Sequence, residues 1–274
     1  MKIGSLEFLP GKRTYVMGIL NVTPDSFSDG GRYGVPEKAL RQAKEMASSG
    51  ADIIDVGGES TRPGYIGISA EEEIARVVPI IKLLKANLDI PVSIDTYKPE
   101  TARAAIAAGA DMINDIWGLK TPGMAEAAAE AGLPCCVMHN RKGARYRDFW
   151  EDYISDIRES LSIAEKHGVK RENIILDPGI GFAKDYDENL MVLERLGALK
   201  EIFRLPVLVG ASKKRFIGRA LGDVPVAERM EGTLAVTALA IDRGADIVRV
   251  HDVAENKKVC LMADALVRGG YKLG

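Results

Sequence analysis

A single (β/α)8 barrel, in the α/β class, is the fold this sequence predicts. Eight short apolar runs stop on residues able to do chemistry: Asn21, Glu59, Asp95, Asn114, His139, Asp177, Ser212 and His251. Amphipathic, helix-patterned stretches lie between them. The tripeptide Gly-Ala-Asp introduces three of the runs, at residues 50–52, 109–111 and 244–246, as a recurring helix stop ahead of a strand would. Strand, polar residue and helix, repeated eight times, is the one-dimensional form of a barrel whose site is built where its strands end. The 274 residues suit one such barrel, which typically takes about 250. No linker-like or low-complexity tract divides the chain, so residues 1–274 are read as one domain.

The strands are expected at residues 14–21, 52–56, 91–95, 111–115, 134–139, 173–177, 206–211 and 246–251. Most are continuous apolar runs rather than strict alternations, which suits a parallel sheet covered on both faces. Periodicity alone does not separate runs this short from buried helix. The glycines ahead of them do, with Gly132 and Gly168 standing where Gly50, Gly109 and Gly244 stand in other units. The first helix, 36–49, opens on Pro36, whose fixed φ and missing N–H suit a first turn. Ser69, three residues before Glu72, has capping-box spacing for the second helix. Residues 99–108 and 124–131 are alanine-rich and of high helix propensity. Residues 149–167 form the longest amphipathic stretch, and residues 254–268 close the eighth unit.

Composition narrows the function classes. Hydrophobic residues make up 46% of the chain, ample for one large core, and the formal net charge is −2. No basic cluster is long enough for a nucleic-acid surface, so an anionic substrate must be held by local cations. The three cysteines, Cys135, Cys136 and Cys260, form no CxxC and read as buried free thiols of a reducing, cytoplasmic setting. The N-terminus lacks the apolar stretch of a signal peptide. No apolar run reaches the length of about 18 residues that a membrane span needs.

The chemistry falls in the loops that follow the strands. The first, residues 21–31, is long, polar and ends on two glycines, as a lid over a substrate would; a capped Asx or Ser turn is the plainer alternative. The second, Gly57-Gly58-Glu59-Ser60-Thr61-Arg62-Pro63-Gly64, joins glycines that allow close backbone approach to donors for an anion. Asp95 and Asp177 close apolar strands, where a charge is costly unless paired or used; each could also cap the loop that follows. One of Asn114 and Asp115 must face the barrel axis. A carboxylate and an amide together can read the donor edge of a flat heterocycle, since one offers only acceptors and the other both kinds.

Ser212-Lys213-Lys214-Arg215 places three cations where a helix is expected to begin, and a helix N-terminus itself attracts anions. Arg249 and His251 lie two apart in the last strand and so share a face, assigned to the lumen. The loops after strands seven and eight are the usual phosphate site of this fold. The expected lumen therefore has Asp95, Asn114 and Asp177 on one side and Asn21, Arg249 and His251 on the other. That arrangement suits a substrate with a polar planar ring and a charged leaving group. No Ser/His/Asp triad or HExxH motif is evident, and Mg²⁺ would be held mainly by substrate oxygens.

These segments resemble the dihydropteroate synthase family of folate biosynthesis. The matching residues run from Gly18 through Asn21-Val22-Thr23-Pro24-Asp25-Ser26-Phe27 to Gly31, then Asp55 to Gly64, Ser93-Ile94-Asp95-Thr96 and Ile113-Asn114-Asp115. They continue with Met138-His139, Asp177-Pro178-Gly179-Ile180-Gly181-Phe182, Ser212-Lys213-Lys214 and Arg249-Val250-His251-Asp252, in order and across all eight units. The resemblance implies a transferase in which 4-aminobenzoate displaces diphosphate from (7,8-dihydropterin-6-yl)methyl diphosphate, giving 7,8-dihydropteroate with Mg²⁺. It implies that Asp95, Asn114, Asp177 and Lys214 bind the pterin, with Ile116, Met138 and Phe182 lining its pocket. It puts Asn21 on the metal and, with Thr61, Arg249 and His251, on the diphosphate. Phe27, Thr61, Arg62 and Pro63 are expected to close over 4-aminobenzoate. Catalytic weight is expected on Asn21, Asp95, Lys214, Arg249 and His251, in a dissociative displacement that forms a pterin cation. A cytoplasmic homodimer is expected.

Two positions depart from the family pattern. Ser212-Lys213-Lys214 stands where Ser-Arg-Lys is common, and lysine lacks the bidentate guanidinium contact. Arg215 stands where some members have a serine near the 4-aminobenzoate carboxylate, with which a cation could pair. Two other readings compete. A methyltetrahydrofolate:corrinoid methyltransferase would need the pterin carboxylates without the diphosphate clamp of Thr61, Arg62, Arg249 and His251. A non-catalytic pterin binder would have little use for the two lid-like loops.

Overall fold

The structure is a computed structural model, and it describes residues 1–23, 34–59 and 67–269. The chain opens with a two-strand antiparallel hairpin, β1 (Lys2–Ile3) and β2 (Leu6–Glu7). The barrel follows: β3 (Tyr15–Asn21), α1 (Val35–Ser48), β4 (Ile53–Gly57), α2 (Ala70–Asn87), β5 (Val92–Asp95), α3 (Pro99–Ala107), β6 (Met112–Asp115), α4 (Met124–Ala131), β7 (Cys135–Met138) and α5 (Phe149–Lys166). It continues through β8 (Ile174–Asp177), α6 (Tyr186–Glu194), α7 (Leu196–Phe203), β9 (Leu208–Val209), α8 (Arg215–Ala220), α9 (Met230–Asp242), β10 (Ile247–Val250) and α10 (Val253–Val267). All eight barrel strands are parallel, in the order β8-β7-β6-β5-β4-β3-β10-β9. A parallel bridge from Leu176 to Val207, with Leu176 N–H donating to Pro206 O at 2.8 Å, closes the ring.

The eight predicted strands are all present. The seventh is shorter than expected, with two residues in the ladder instead of the run 206–211. The helices after the sixth and seventh strands are each broken in two. The N-terminal hairpin went unforeseen, because two-residue strands carry no periodicity to read.

The predicted helix stops are in place, since Gly50, Gly109 and Gly244 have φ of +96°, +107° and +96°, a region glycine enters without steric cost. The aspartate that completes each Gly-Ala-Asp has a second role. Asp52 accepts the Val16 N–H at 2.9 Å, Asp111 the Val92 N–H at 2.9 Å, and Asp246 the Val207 N–H at 3.0 Å. Each donor lies in the preceding strand or at its start. Each carboxylate also takes a lysine, Lys257, Lys85 and Lys200 respectively. One tripeptide therefore ends a helix and pins two neighbouring strands in register. Helix starts follow the sequence as well: Ser69 accepts the Glu72 N–H at 3.2 Å, and Pro36 sits in the first turn of α1.

Two apolar cores flank the sheet. The larger lies between strands and helices and includes Val16, Ile54, Ile94, Ile113, Leu176 and Val248. The smaller fills the lower lumen with Met17, Ile53, Met112, Cys136, Ile175, Leu208 and Ile247. The alternation of a strand's side chains separates the two sets. Ile3 and Phe8 plug this inner core from below, Phe8 meeting Tyr15 edge to face at 4.7 Å. Asp246 is fully buried, and its carboxylate also accepts the Gly11 N–H at 2.8 Å. Asp246→Ala leaves two amides without their acceptor and takes the carboxylate partner from Lys200, so a loss of about 3 kcal/mol is expected. Urea unfolding should show it, with a smaller loss for the less buried Asp111→Ala.

Candidate active site

Above the inner apolar core the lumen turns polar. The alternation that points Ile53, Met112, Ile175 and Ile247 inward also points Asp55, Asn114, Asp177 and Arg249 inward, one layer nearer the mouth. Asp55 pairs in register with Ser93, and Asp95 with Asn114. Gly57 and Gly210 leave this layer open. A methyl group on Gly57 would lie 3.4 Å from Asn21 Oδ1 and 3.7 Å from Asp95 Oδ2; one on Gly210 would lie 3.8 Å from both Asp177 Oδ2 and Arg249 Cβ. The side chains of five different strands thus face one small volume.

Arg249 organises it. Its Nε donates to Asp55 Oδ2 at 2.6 Å and its Nη2 to Asp95 Oδ2 at 2.5 Å. Asn114 Nδ2 donates to the same Asp55 oxygen at 3.0 Å. The sequence reading set Arg249 with His251, across the lumen from Asp95 and Asn114; its guanidinium instead lies on the carboxylate side. With Asp177 and Lys214, the described residues bring three carboxylates and two cationic side chains to the lumen. Burial pushes Asp95 up to about 7 against the pull of Arg249, with Asp55 adding to the rise. Burial raises Asp177 too, opposed by Lys214. Asp55 Oδ1, Ser93 Oγ, Asp95 Oδ1 and Asn114 Oδ1 are buried without a hydrogen-bond partner. Four such atoms in one place are exceptional, since buried polar groups are normally satisfied.

The β8–α6 loop forms the next wall. Asp177 Oδ1 accepts the Gly179 N–H at 2.7 Å, so this carboxylate both faces the lumen and caps its loop. Gly179 has φ +68°, and a methyl there would stand 2.0 Å from His139 O, so only glycine fits. Lys214 Nζ donates to Ile180 O and lies 4.6 Å from the centre of the Phe182 ring. Burial lowers Lys214 to about 8, with Asp177 holding it up. Ile116 and Met138 are buried, and Phe182 is half-buried. The ambiguity between Asn114 and Asp115 resolves as a division of labour. Asp115 turns away from the axis and accepts the Trp117 and Leu119 N–H groups at 2.8 and 2.7 Å.

Asn21 and His251 sit at the mouth. His251 is exposed rather than buried in the wall. Ser212 Oγ accepts the His251 N–H at 3.3 Å and lies 3.0 Å from Nδ1. The hydroxyl hydrogen can then serve Nδ1, which leaves the ring hydrogen on Nε2 as an anion donor. Lys213, at φ +56°, pairs with Asp252 at 2.8 Å instead of turning into the lumen. Arg215 is exposed, at the first residue of α8. Phe27, Thr61, Arg62 and Pro63 lie outside the described residues. No group of three or more His, Cys, Asp or Glu among the described residues could hold a metal ion. The Asn21 carboxamide supplies a single hard oxygen donor at the mouth.

Sequence reasoning passed over Asp55 and Ser93, although a signal was present. Asp55 is a carboxylate inside an apolar strand, two residues from Gly57 and therefore on the same face. The motif Asp-Pro-Gly-Ile-Gly-Phe drew attention to Asp177, while Lys184, two residues beyond it, went unremarked.

Comparison with known proteins places the chain in a family. The pterin binding enzyme family matches residues 17–251. The chain is 57% identical over 270 residues to the dihydropteroate synthase of Clostridium beijerinckii, covering 98% of this chain and 100% of that protein. It is similar to the crystal structure of the Clostridium difficile dihydropteroate synthase in the presence of pteroic acid. That match has a TM-score of 0.92 at 50% identity and covers 96% of this chain and 100% of the other. The Xanthomonas albilineans dihydropteroate synthase with 4-aminobenzoic acid superposes with a TM-score of 0.90 at 42% identity, over 94% of each chain.

Proposed function

The chain belongs to the dihydropteroate synthase family of pterin binding enzymes, and from that premise we propose how its residues divide the work. It is a transferase of folate biosynthesis that condenses 4-aminobenzoate with (7,8-dihydropterin-6-yl)methyl diphosphate, releasing diphosphate. One observation carries the assignment of the pterin site: the unpartnered Asp55, Ser93, Asp95 and Asn114 atoms in a lumen that already holds Asp177. We assign the ring's donor edge to Asp95, Asn114 and Asp177, with Asp55 and Ser93 beside them. Ile116, Met138 and Phe182 would cover its faces, and Lys214 its mouthward edge. Arg249 has five N–H donors, two of which hold Asp55 and Asp95. Its Nη1 and the imidazole of His251 are assigned to the departing diphosphate, with Thr61 from the second loop.

The chemistry follows from the charges. An aniline nitrogen is a weak nucleophile, so diphosphate leaves early and a cation develops on the pterin methylene. The lumenal carboxylates stabilise that cation where it forms, and the apolar core beneath keeps the field strong. Arg249 and His251 stabilise the departing anion. 4-Aminobenzoate then attacks through its amine, and a proton passes from the new ammonium to solvent or to the diphosphate. Phe27, Thr61, Arg62 and Pro63 are assigned to cover the second substrate, with Arg215 near its carboxylate and Lys213 held away by Asp252. Mg²⁺ fits the single amide oxygen of Asn21, because this ion takes few protein ligands and completes its shell with phosphate oxygens and water; when bound it neutralises charge on the diphosphate.

No helix among the described residues is long and apolar enough to cross a membrane. With three free, buried cysteines, the chain is assigned to the cytoplasm, acting as one catalytic unit on small molecules. A homodimer is supported by the adjacent helices α9 and α10, which expose Leu239, Leu261, Met262 and Leu266. Such a patch on a folded chain marks an association surface. Sedimentation should give twice the chain mass, and Leu261→Glu with Leu266→Glu should give the monomer.

The reaction is tested by pyrophosphate release from the pterin diphosphate with and without 4-aminobenzoate. Sustained release coupled to 7,8-dihydropteroate formation should require both substrates; sustained release with no 7,8-dihydropteroate formed when 4-aminobenzoate is present would sink the reading. A second test uses pH. Below about 7 the Asp95 carboxyl is protonated and presents a donor to the ring's donor edge; above it only acceptors remain. Pterin affinity, measured by calorimetry, should therefore strengthen as pH rises through about 7 and then level. In Asp95→Asn that rise should be absent.

A further inference from the structure

Behind the pterin pocket lies a chain of ionisable groups that the reaction scheme does not use. Lys184 Nζ contacts His139 Nδ1 at 2.9 Å, Gly179 O at 2.9 Å and Phe182 O at 3.1 Å. An ammonium has three N–H donors, and these are three acceptors. His139 is wholly buried and accepts at Nδ1, so its hydrogen sits on Nε2, which faces Asp156 Oδ2 at 3.1 Å. Asp156 in turn takes Arg141 Nη2 at 3.0 Å. The sequence Arg141, Asp156, His139, Lys184 thus runs from α5 and the β7–α5 loop into the middle of the β8–α6 loop.

That loop carries Asp177 and Phe182, and it is an unusual segment to hold still. Gly179 and Gly181 both have positive φ, as does Ala183 at +45°. Its order comes from side chains: Tyr153 OH on Pro178 O at 3.1 Å, Asn189 Oδ1 on the Gly181 N–H at 2.6 Å, and Tyr146 OH on Ala183 O at 2.7 Å. Lys214 Nζ also donates to Ile180 O. Lys184 bridges Gly179 O and Phe182 O across the turn and links it to the neighbouring strand's end through His139.

We propose that Lys184 is a positioning residue for the pterin pocket: seated on His139 Nδ1, its ammonium fixes the Gly179–Phe182 turn so that the Asp177 carboxylate and the Phe182 ring stand where the pterin ring binds. This rests on the assignment of the lumen to pterin. Burial lowers His139 to about 4, which keeps the imidazole neutral and Nδ1 able to accept. Burial also lowers Lys184, with Asp177 opposing, but the three acceptors require the protonated amine. Lys184 touches neither the lumenal carboxylate oxygens nor the mouth, so its effect is confined to one substrate.

The test compares the affinity of 6-hydroxymethylpterin with that of pyrophosphate and Mg²⁺, by calorimetry, in the wild type and Lys184→Met. Methionine keeps the length and apolar stem but not the donors. Pterin affinity should fall by about tenfold or more, as losses of supporting contacts do at preorganised sites, while pyrophosphate affinity stays unchanged. Aminoethylation of Lys184→Cys rebuilds an isosteric ammonium and should restore pterin affinity. Undiminished pterin binding by Lys184→Met, or equal losses for both ligands, would overturn the proposal. If Lys184→Met does not fold, His139→Leu carries the test: it removes one acceptor and should weaken pterin alone, and unchanged pterin affinity would overturn the proposal. A wild type that binds no pterin would instead sink the assignment of the pocket, and the proposal with it.

Discussion

The guanidinium of Arg249, shared between Asp55 and Asp95, is the interaction on which the rest of this structure depends. It joins β10 to β4 and β5, bringing together residues 194 and 154 positions apart in the chain. Three carboxylates cannot stand ionised together in a dry lumen without cations among them. Removing either partner of a buried pair costs far more than the intact pair contributes. The bridge is thus less a source of net stability than a condition for the site to exist at all. It also orients the carboxylates, turning one oxygen of each toward the arginine and leaving the other available.

The lumen changes character along its axis. Below, the hairpin and a ring of apolar side chains shut out water. Above, a layer of acids, amides and one arginine faces the mouth. Charges that rest on an apolar floor interact more strongly than the same charges in water, so the inner plug serves the chemistry as well as the fold. The lumenal carboxylates have the sign a developing pterin cation requires, and burial, with Asp55 adding to it, accounts for the raised proton affinity of Asp95.

The mouth is furnished differently. His251, the outer edge of Arg249 and the amide oxygen of Asn21 gather where a leaving diphosphate would emerge. One side chain, Arg249, belongs to both regions, which places charge separation along its own length. Supporting groups are arranged one shell out. Ser212 sets the His251 tautomer, Asp252 draws Lys213 aside, and the Lys184–His139–Asp156 chain holds the turn that carries Asp177. Such outer contacts decide whether a ligating group is within reach or merely nearby.

Local regularities were legible in the amino-acid sequence. The eight strands, their parallel arrangement, the glycine helix stops and the row of polar strand ends all follow from patterns a few residues long. So did the lumenal side of Asn114 or its neighbour, and the shared face of Arg249 and His251, because strand alternation is a local rule. The function came through the match of whole motifs to a family. Partnership was settled only by tertiary structure. Which carboxylates Arg249 would take, that Asp55 belongs to the site, that Asp115 turns away, and that His139 seats Lys184 all depend on how strands far apart in sequence stagger around a closed ring. Stagger is fixed by the packing of every unit at once, and electrostatic pairing responds to distances of an ångström, so no stretch of sequence holds that information by itself.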